Sequence, residues 1–163
     1  MAAGSTYTPI ATTTLGSNTA SVSFSSFSGY TDLILVMNSK LVSGSQTGML
    51  RFNSDSGTNY SFTYLQGNGS SATSGRASNV TFAIAGYFDN SNYTISTTHI
   101  MNYANSTTYK TTLDRRGPAS TIAGADVSLW RNTAAITSLS IAPENGDTWA
   151  SGSTFTLYGI AAA

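Results

Sequence analysis

At 163 residues the chain is long enough for one domain with a substantial core. Hydrophobic residues make up 40% of it and charged residues only 9%, with seven Lys and Arg against seven Asp and Glu. That balance leaves no electrostatic footprint for nucleic acid or an anionic membrane, and the lack of cysteine excludes disulfides, thiol nucleophiles and Cys-ligated zinc.

Solubility must then come from Ser, Thr and Asn, and a net charge near zero favours association, as in a component of an assembly. Good helix formers are scarce, while β-branched, aromatic and hydroxyl residues recur throughout. The pattern predicts an all-β chain of about ten or eleven short strands with little or no helix, forming an antiparallel β-sandwich across residues 1–163.

The start, "MAAGSTYTPIATTT", has neither a basic n-region nor an apolar h-region, so no signal peptide is expected. Residues 1–6 read as a flexible arm, and the stretch as far as Ile10 is placed to reach a neighbouring subunit. The first strand runs from Tyr7 to Leu15 and carries Pro9 near its beginning, where an edge strand tolerates it. "GSNT" turns the chain into "ASVSF". "YTDLILVMN" follows, apolar without a break from Leu33 to Met37, which predicts a central strand covered on both faces.

"GMLRFN" and "NYSFTYLQ" flank the turn "SDSGT". The segment from Gly67 to Asn79, "GNGSSATSGRASN", has no periodicity and reads as the longest flexible loop. Beyond it "VTFAIAGY" is a strand, and "YTISTTHIMNY" and "TTYKTTLDR" bracket the hairpin turn "ANS". "RRGPASTIAG" is a second long connection before "ADVSLWR", "AITSLSIA" and the alternating "STFTLYGIAAA". That alternation makes the last segment a structural strand, and Ala161 to Ala163 are too short to reach far beyond it. The inward residues are expected to be Leu33, Leu35, Met37, Phe82, Ile84, Ile95, Leu113, Val127, Leu129, Leu139, Ile141, Phe155 and Leu157.

Candidate chemistry is thin. His99, the one histidine, shares parity with Ile95 and Met101 and reads as an inward residue with satisfied hydrogen bonds. No nucleophile signature accompanies it. The acids Asp32, Asp55, Asp89, Asp114, Asp126, Glu144 and Asp147 all read as strand-end or turn residues, where Asp caps backbone. "NSDSGTN" and "ENGD" hold oxygen donors but match no calcium loop and are turn chemistry first. Neither an enzymatic activity nor a metal or cofactor is expected. The aromatic residues offer more. Tyr60, Tyr64 and Tyr87 are either contact material for a protein or a sugar or residues of the core rim, Trp130, followed by Arg131 at a strand end, is either covered on both faces or an interface anchor, and Tyr7, Pro9 and Ile10 belong to the reaching arm.

The stretches "YTPIATTTLGS", "GYTDLILVMN", "LRFNSDSGTNYSFTYLQGNGSS", "NYANSTTYKTTLDRRG", "VSLWRNTAAITSLSIAP" and "GSTFTLYGI" carry a resemblance that runs from about Tyr7 to Ile160. The chain resembles Ser/Thr/Asn-rich virion structural proteins of tailed bacteriophages, notably those of aquatic bacteria. The resemblance implies a jelly-roll sandwich on the outside of the particle, with the major capsid protein and further copies of itself, as a homotrimer, for partners. It supplies no catalytic residue. A capsid decoration (cement) protein is the first expectation. A tail-fibre or receptor-binding module recognising a host surface glycan, through exposed Tyr and Asn around residues 67–79 and 88–92, is the alternative.

Overall fold

The computed structural model describes residues 6–118 and 120–160. Twelve strands follow in order: β1 (Tyr7–Thr14), β2 (Val22–Ser25), β3 (Asp32–Ser39), β4 (Ser45–Phe52), β5 (Tyr60–Gly67), β6 (Ala72–Val80), β7 (Ala83–Asp89), β8 (Thr94–Met101), β9 (Lys110–Arg116), β10 (Ala123–Trp130), β11 (Ser138–Pro143) and β12 (Thr154–Ile160). One 3₁₀ turn, Glu144–Gly146, interrupts them. All pairings are antiparallel. They form an eight-stranded sheet, β1-β12-β3-β8-β9-β10-β5-β6, and a four-stranded sheet, β2-β11-β4-β7.

Two hairpins, β5–β6 and β9–β10, lie side by side at one end of the large sheet. Setting them aside leaves β1-β12-β3-β8 facing β2-β11-β4-β7. Here the chain crosses between sheets at every step except β4 to β7, which is the double Greek-key winding of a jelly roll. The hairpins extend the large sheet into a wing, and β7, at the edge of the small sheet, packs over it against β8, β9, β10 and β5.

Alternation builds the core. Leu33, Leu35 and Met37 of β3, Phe155 and Leu157 of β12, Leu139 and Ile141 of β11, and Leu50 and Phe52 of β4 are all buried in one cluster. Each such side chain contributes about 1.5–3 kcal/mol by leaving water. Trp149 stands edge-on between Phe88 (5.1 Å) and Phe155 (5.4 Å). β3 lies inside the sheet as expected, and Leu33, Ile34 and Leu35 are buried in succession, but Asn38 on its outer face is exposed.

Several sequence expectations are corrected. The segment 67–79 is mostly strand: Asn68 closes a tight turn by accepting from the Ser70 and Ser71 amides, and β6 then pairs along β5. It shows no apolar period because it is a sheet edge whose side chains are small or polar for the most part and of which none is buried.

The parity of β8, β9 and β10 is inverted. Ile95, Leu113 and Val127 face outward and are exposed, and Leu129 is half-buried. Thr94, Ser96, Thr98, Thr112, Asp114, Asp126 and Ser128 are the buried residues in their place. Phe82, before β7, is also only partly buried, stacked on Phe62.

His99 goes outward with Ile95 and Met101, and its imidazole is a third exposed. The expected arm is part strand: Tyr7 to Ile10 belong to β1, which runs beside β12 with a bulge after Pro9. Residues 1–5 and Ala161 to Ala163 lie outside the described residues.

Candidate functional site

The inverted strands make sense against β7. As the edge of the small sheet, β7 pairs on one side only, with β4. Its free amides point at the wing, and side chains of the other sheet satisfy them. The Ile84 amide donates to Ser128 Oγ (3.1 Å) and the Gly86 amide to Asp114 Oδ2 (3.0 Å). An unsatisfied buried amide is costly, so polar groups inside the sandwich take the place of a fifth strand.

Asp114 also accepts from Ser96 Oγ (2.9 Å) and Thr98 Oγ1 (2.8 Å). Burial pushes its carboxyl up to about 6, against these hydrogen bonds and with the help of negative charge on Asp126. Asp126 sits directly across the strand pair and is held by the Arg116 guanidinium through both oxygens. Burial raises its carboxyl as well, against the pull of Arg116. These two acids stand inside strands, not at their ends as expected. Although two facing carboxyls are what glycoside hydrolysis uses, neither exposes surface to a substrate.

The remaining candidates sort by burial. Tyr60 and Trp130 are interior, so neither presents a surface to a partner. Their parity places them opposite Phe52, with Trp130 5.4 Å from that ring and 6.3 Å from Tyr60. The Trp130 indole donates to Asp55 (2.7 Å), and the Tyr60 hydroxyl accepts from the Phe52 amide and donates to the Asp55 carbonyl. Burial takes the Tyr60 phenol up to about 12. Partial burial raises the Asp55 carboxyl too, but hydrogen bonds from Trp130, Asn59 and Gly57 outweigh it and hold the group below its usual range.

Tyr64 and Tyr87 are half-buried with Arg116 over both rings at 5.9 and 5.6 Å. Arg131 ties Thr58 and Asn79 together. Tyr7 and Pro9 are exposed, and Ile10 is partly buried against the core. The eight candidates therefore do not converge on one site. His99 Nε2 lies 2.7 Å from Asp32, which also accepts from the Asn102 amide. Among the described residues, no three His, Asp or Glu side chains gather to hold a metal ion.

The outer face of the wing, with β8 beside it, is the surface that sequence reasoning missed. Leu65 and Ile95 are each 65% exposed, Val127 48% and Leu113 37%. Register puts Arg76, Thr63, Val127, Leu113 and His99 in one row across five strands. The next row holds Ser74, Leu65, Ala125, Arg115 and Thr97. A shallow apolar depression between the rows is lined by Leu65, Leu113, Ala125 and Val127. A second, sharing Val127, is lined by Arg76 and Leu129. The only sequence signal of this face was the apolar alternation itself, read with the wrong sign.

No protein-family model matches the chain, and no curated protein matches it.

Proposed function

We propose that the chain is a virion structural protein of a tailed bacteriophage, a capsid decoration (cement) protein. In this reading it sits on the outside of the head as a homotrimer and stabilises the lattice of the major capsid protein. The observation that supports it most is the jelly-roll strand order, the architecture implied by the sequence resemblance to phage particle proteins. A sandwich whose first and last strands, β1 and β12, pair with each other is a stiff clamp. Sparse charge suits attachment through apolar and hydrogen-bonded contact, with weak salt dependence.

Gold-labelled antibody electron microscopy on the particles tests the position directly. Label scattered over the head is expected, and heads lacking the protein should rupture at lower temperature or under milder osmotic shock. Label confined to the tail tip would overturn the proposal in favour of receptor binding, as would equal resistance of heads with and without the protein.

A further inference from the structure

A soluble sandwich normally keeps Ser and Thr on its outer face and apolar residues within. Strands β8 to β10 do the reverse, and of the polar residues within, Ser128 and Asp114 answer the open edge of β7 while Ser96 and Thr98 bond to Asp114. That account does not require Leu65, Leu113 and Val127 outside, where Thr would serve β-propensity equally well. A contiguous exposed apolar patch of this kind marks a contact surface.

Charge says what covers it. Among the described residues, five of the seven cationic side chains have partners within the chain. Arg116 pairs with Asp126, Arg51, Lys110 and Arg131 bind carbonyls, and Lys40 lies over Tyr93. The two without one, Arg76 and Arg115, both stand exposed on this face, beside Val127 and Leu113. The one carboxylate toward the same side, Asp32, is taken by His99.

We propose that the outer face of the wing docks a different protein whose surface carries carboxylates beside an aliphatic ridge. A twofold pairing of this face with itself would gather four arginines in one interface with no free carboxylate to receive them, which opposes a second copy as occupant. Two separated arginines are too few for an anionic membrane, which calls for a cluster of basic residues. The five strands from β8 to β6 at about 4.8 Å and roughly seven residues at about 3.4 Å give this face on the order of 570 Å², somewhat less than the roughly 800 Å² of one side of a standard protein interface. In particular terms the inference rests on the decoration reading, with the major capsid protein as the partner.

The test is rebinding of purified protein to heads assembled without it, using wild type, Arg76→Glu/Arg115→Glu and Leu113→Ser/Val127→Ser, each first shown to melt cooperatively. Wild type should rebind, weakening about twofold to fivefold between low and high salt. Each double variant should lose tenfold or more, and the charge-reversed one should bind better at high salt than at low, because salt screens the new repulsion. If wild type and both variants rebind alike, this face is not the dock and the decoration reading survives. If wild type does not rebind at all, both fall. A wild-type dimer in sedimentation that Leu113→Ser/Val127→Ser abolishes would overturn the choice of a different protein. So would cosedimentation with phosphatidylglycerol vesicles that Arg76→Glu/Arg115→Glu abolishes.

Discussion

Asp114 has no exposed surface, and its hydrogen-bond partners, the Gly86 amide and the Ser96 and Thr98 hydroxyls, are all neutral. Its carboxyl is pushed from 3.8 up to about 6, so the folded chain holds that proton more tightly than the unfolded chain does. The corresponding stability is fully present below about pH 4 and is lost as pH rises through 6, a change on the order of 3 kcal/mol. Asp126, also raised, acts in the same direction, while Asp55, lowered, acts in the opposite one. In Asp114→Asn the amide oxygen can still accept from Gly86 and the amide nitrogen can donate to Ser96 or Thr98. Urea denaturation at pH 4.5 and pH 7 should therefore show Asp114→Asn gaining on wild type as pH rises. Asp114→Ala should be about 2–3 kcal/mol less stable than Asp114→Asn, because the Gly86 amide is left without an acceptor. An Asn variant with the wild-type pH slope would remove this account. None of it was legible in the sequence: Asp114 and Gly86 meet across two sheets, and alternation fixes which residues share a face without saying which face is inward. Ile95, Leu113 and Val127 were misassigned for that reason.

At the level of elements, strands flanked by turn residues were legible because period-2 apolar alternation survives wherever one face is core. β3, β11 and β12 followed that pattern, and Leu33, Leu139 and Phe155 are buried. β6 was not legible because an edge strand needs only its backbone to pair, and its Ser, Thr and Gly side chains look like a loop. The two strands should also differ in what their loss does. β12 lies between β1 and β3 and supplies Phe155 and Leu157 to the core. Deleting Thr154 to Ile160 would open the large sheet along two ladders and expose both residues. The truncated chain is expected to lack a cooperative melt and to aggregate during purification. A soluble product with a sharp calorimetric transition would show that β1 can pair β3 directly.

The whole molecule raises the question of whether the wing and the jelly roll unfold together. The strand-turn rhythm made an all-β sandwich readable in advance, but the wing is formed by two hairpins that are far apart in sequence and pair through β10 and β5, a long-range match that no local pattern encodes. The two tryptophans report the two parts separately. Trp149 packs in the jelly roll between Phe88 and Phe155. Trp130 is at the end of a wing strand, yet its ring lies tilted against Phe52 of β4 in the opposite sheet, 5.4 Å away. This contact, with the β7 amides bonded to Ser128 and Asp114, ties the wing into the same core, and a shared core melts as one unit. Trp149→Phe and Trp130→Phe leave one reporter each. In each variant, the fluorescence midpoint in urea should coincide with that of far-UV circular dichroism. Trp130→Phe should lie lower overall by about 1.5–3 kcal/mol, since Asp55 loses a hydrogen bond to its carboxylate. Refolding should be slow, in milliseconds to seconds, because Tyr7 must find Ile160 before the large sheet can close. An earlier fluorescence midpoint for Trp130 in the Trp149→Phe protein would mean that the wing opens on its own. Its outer face would then be a detachable flap, and rebinding losses in the face variants would have to be separated from local unfolding by amide exchange.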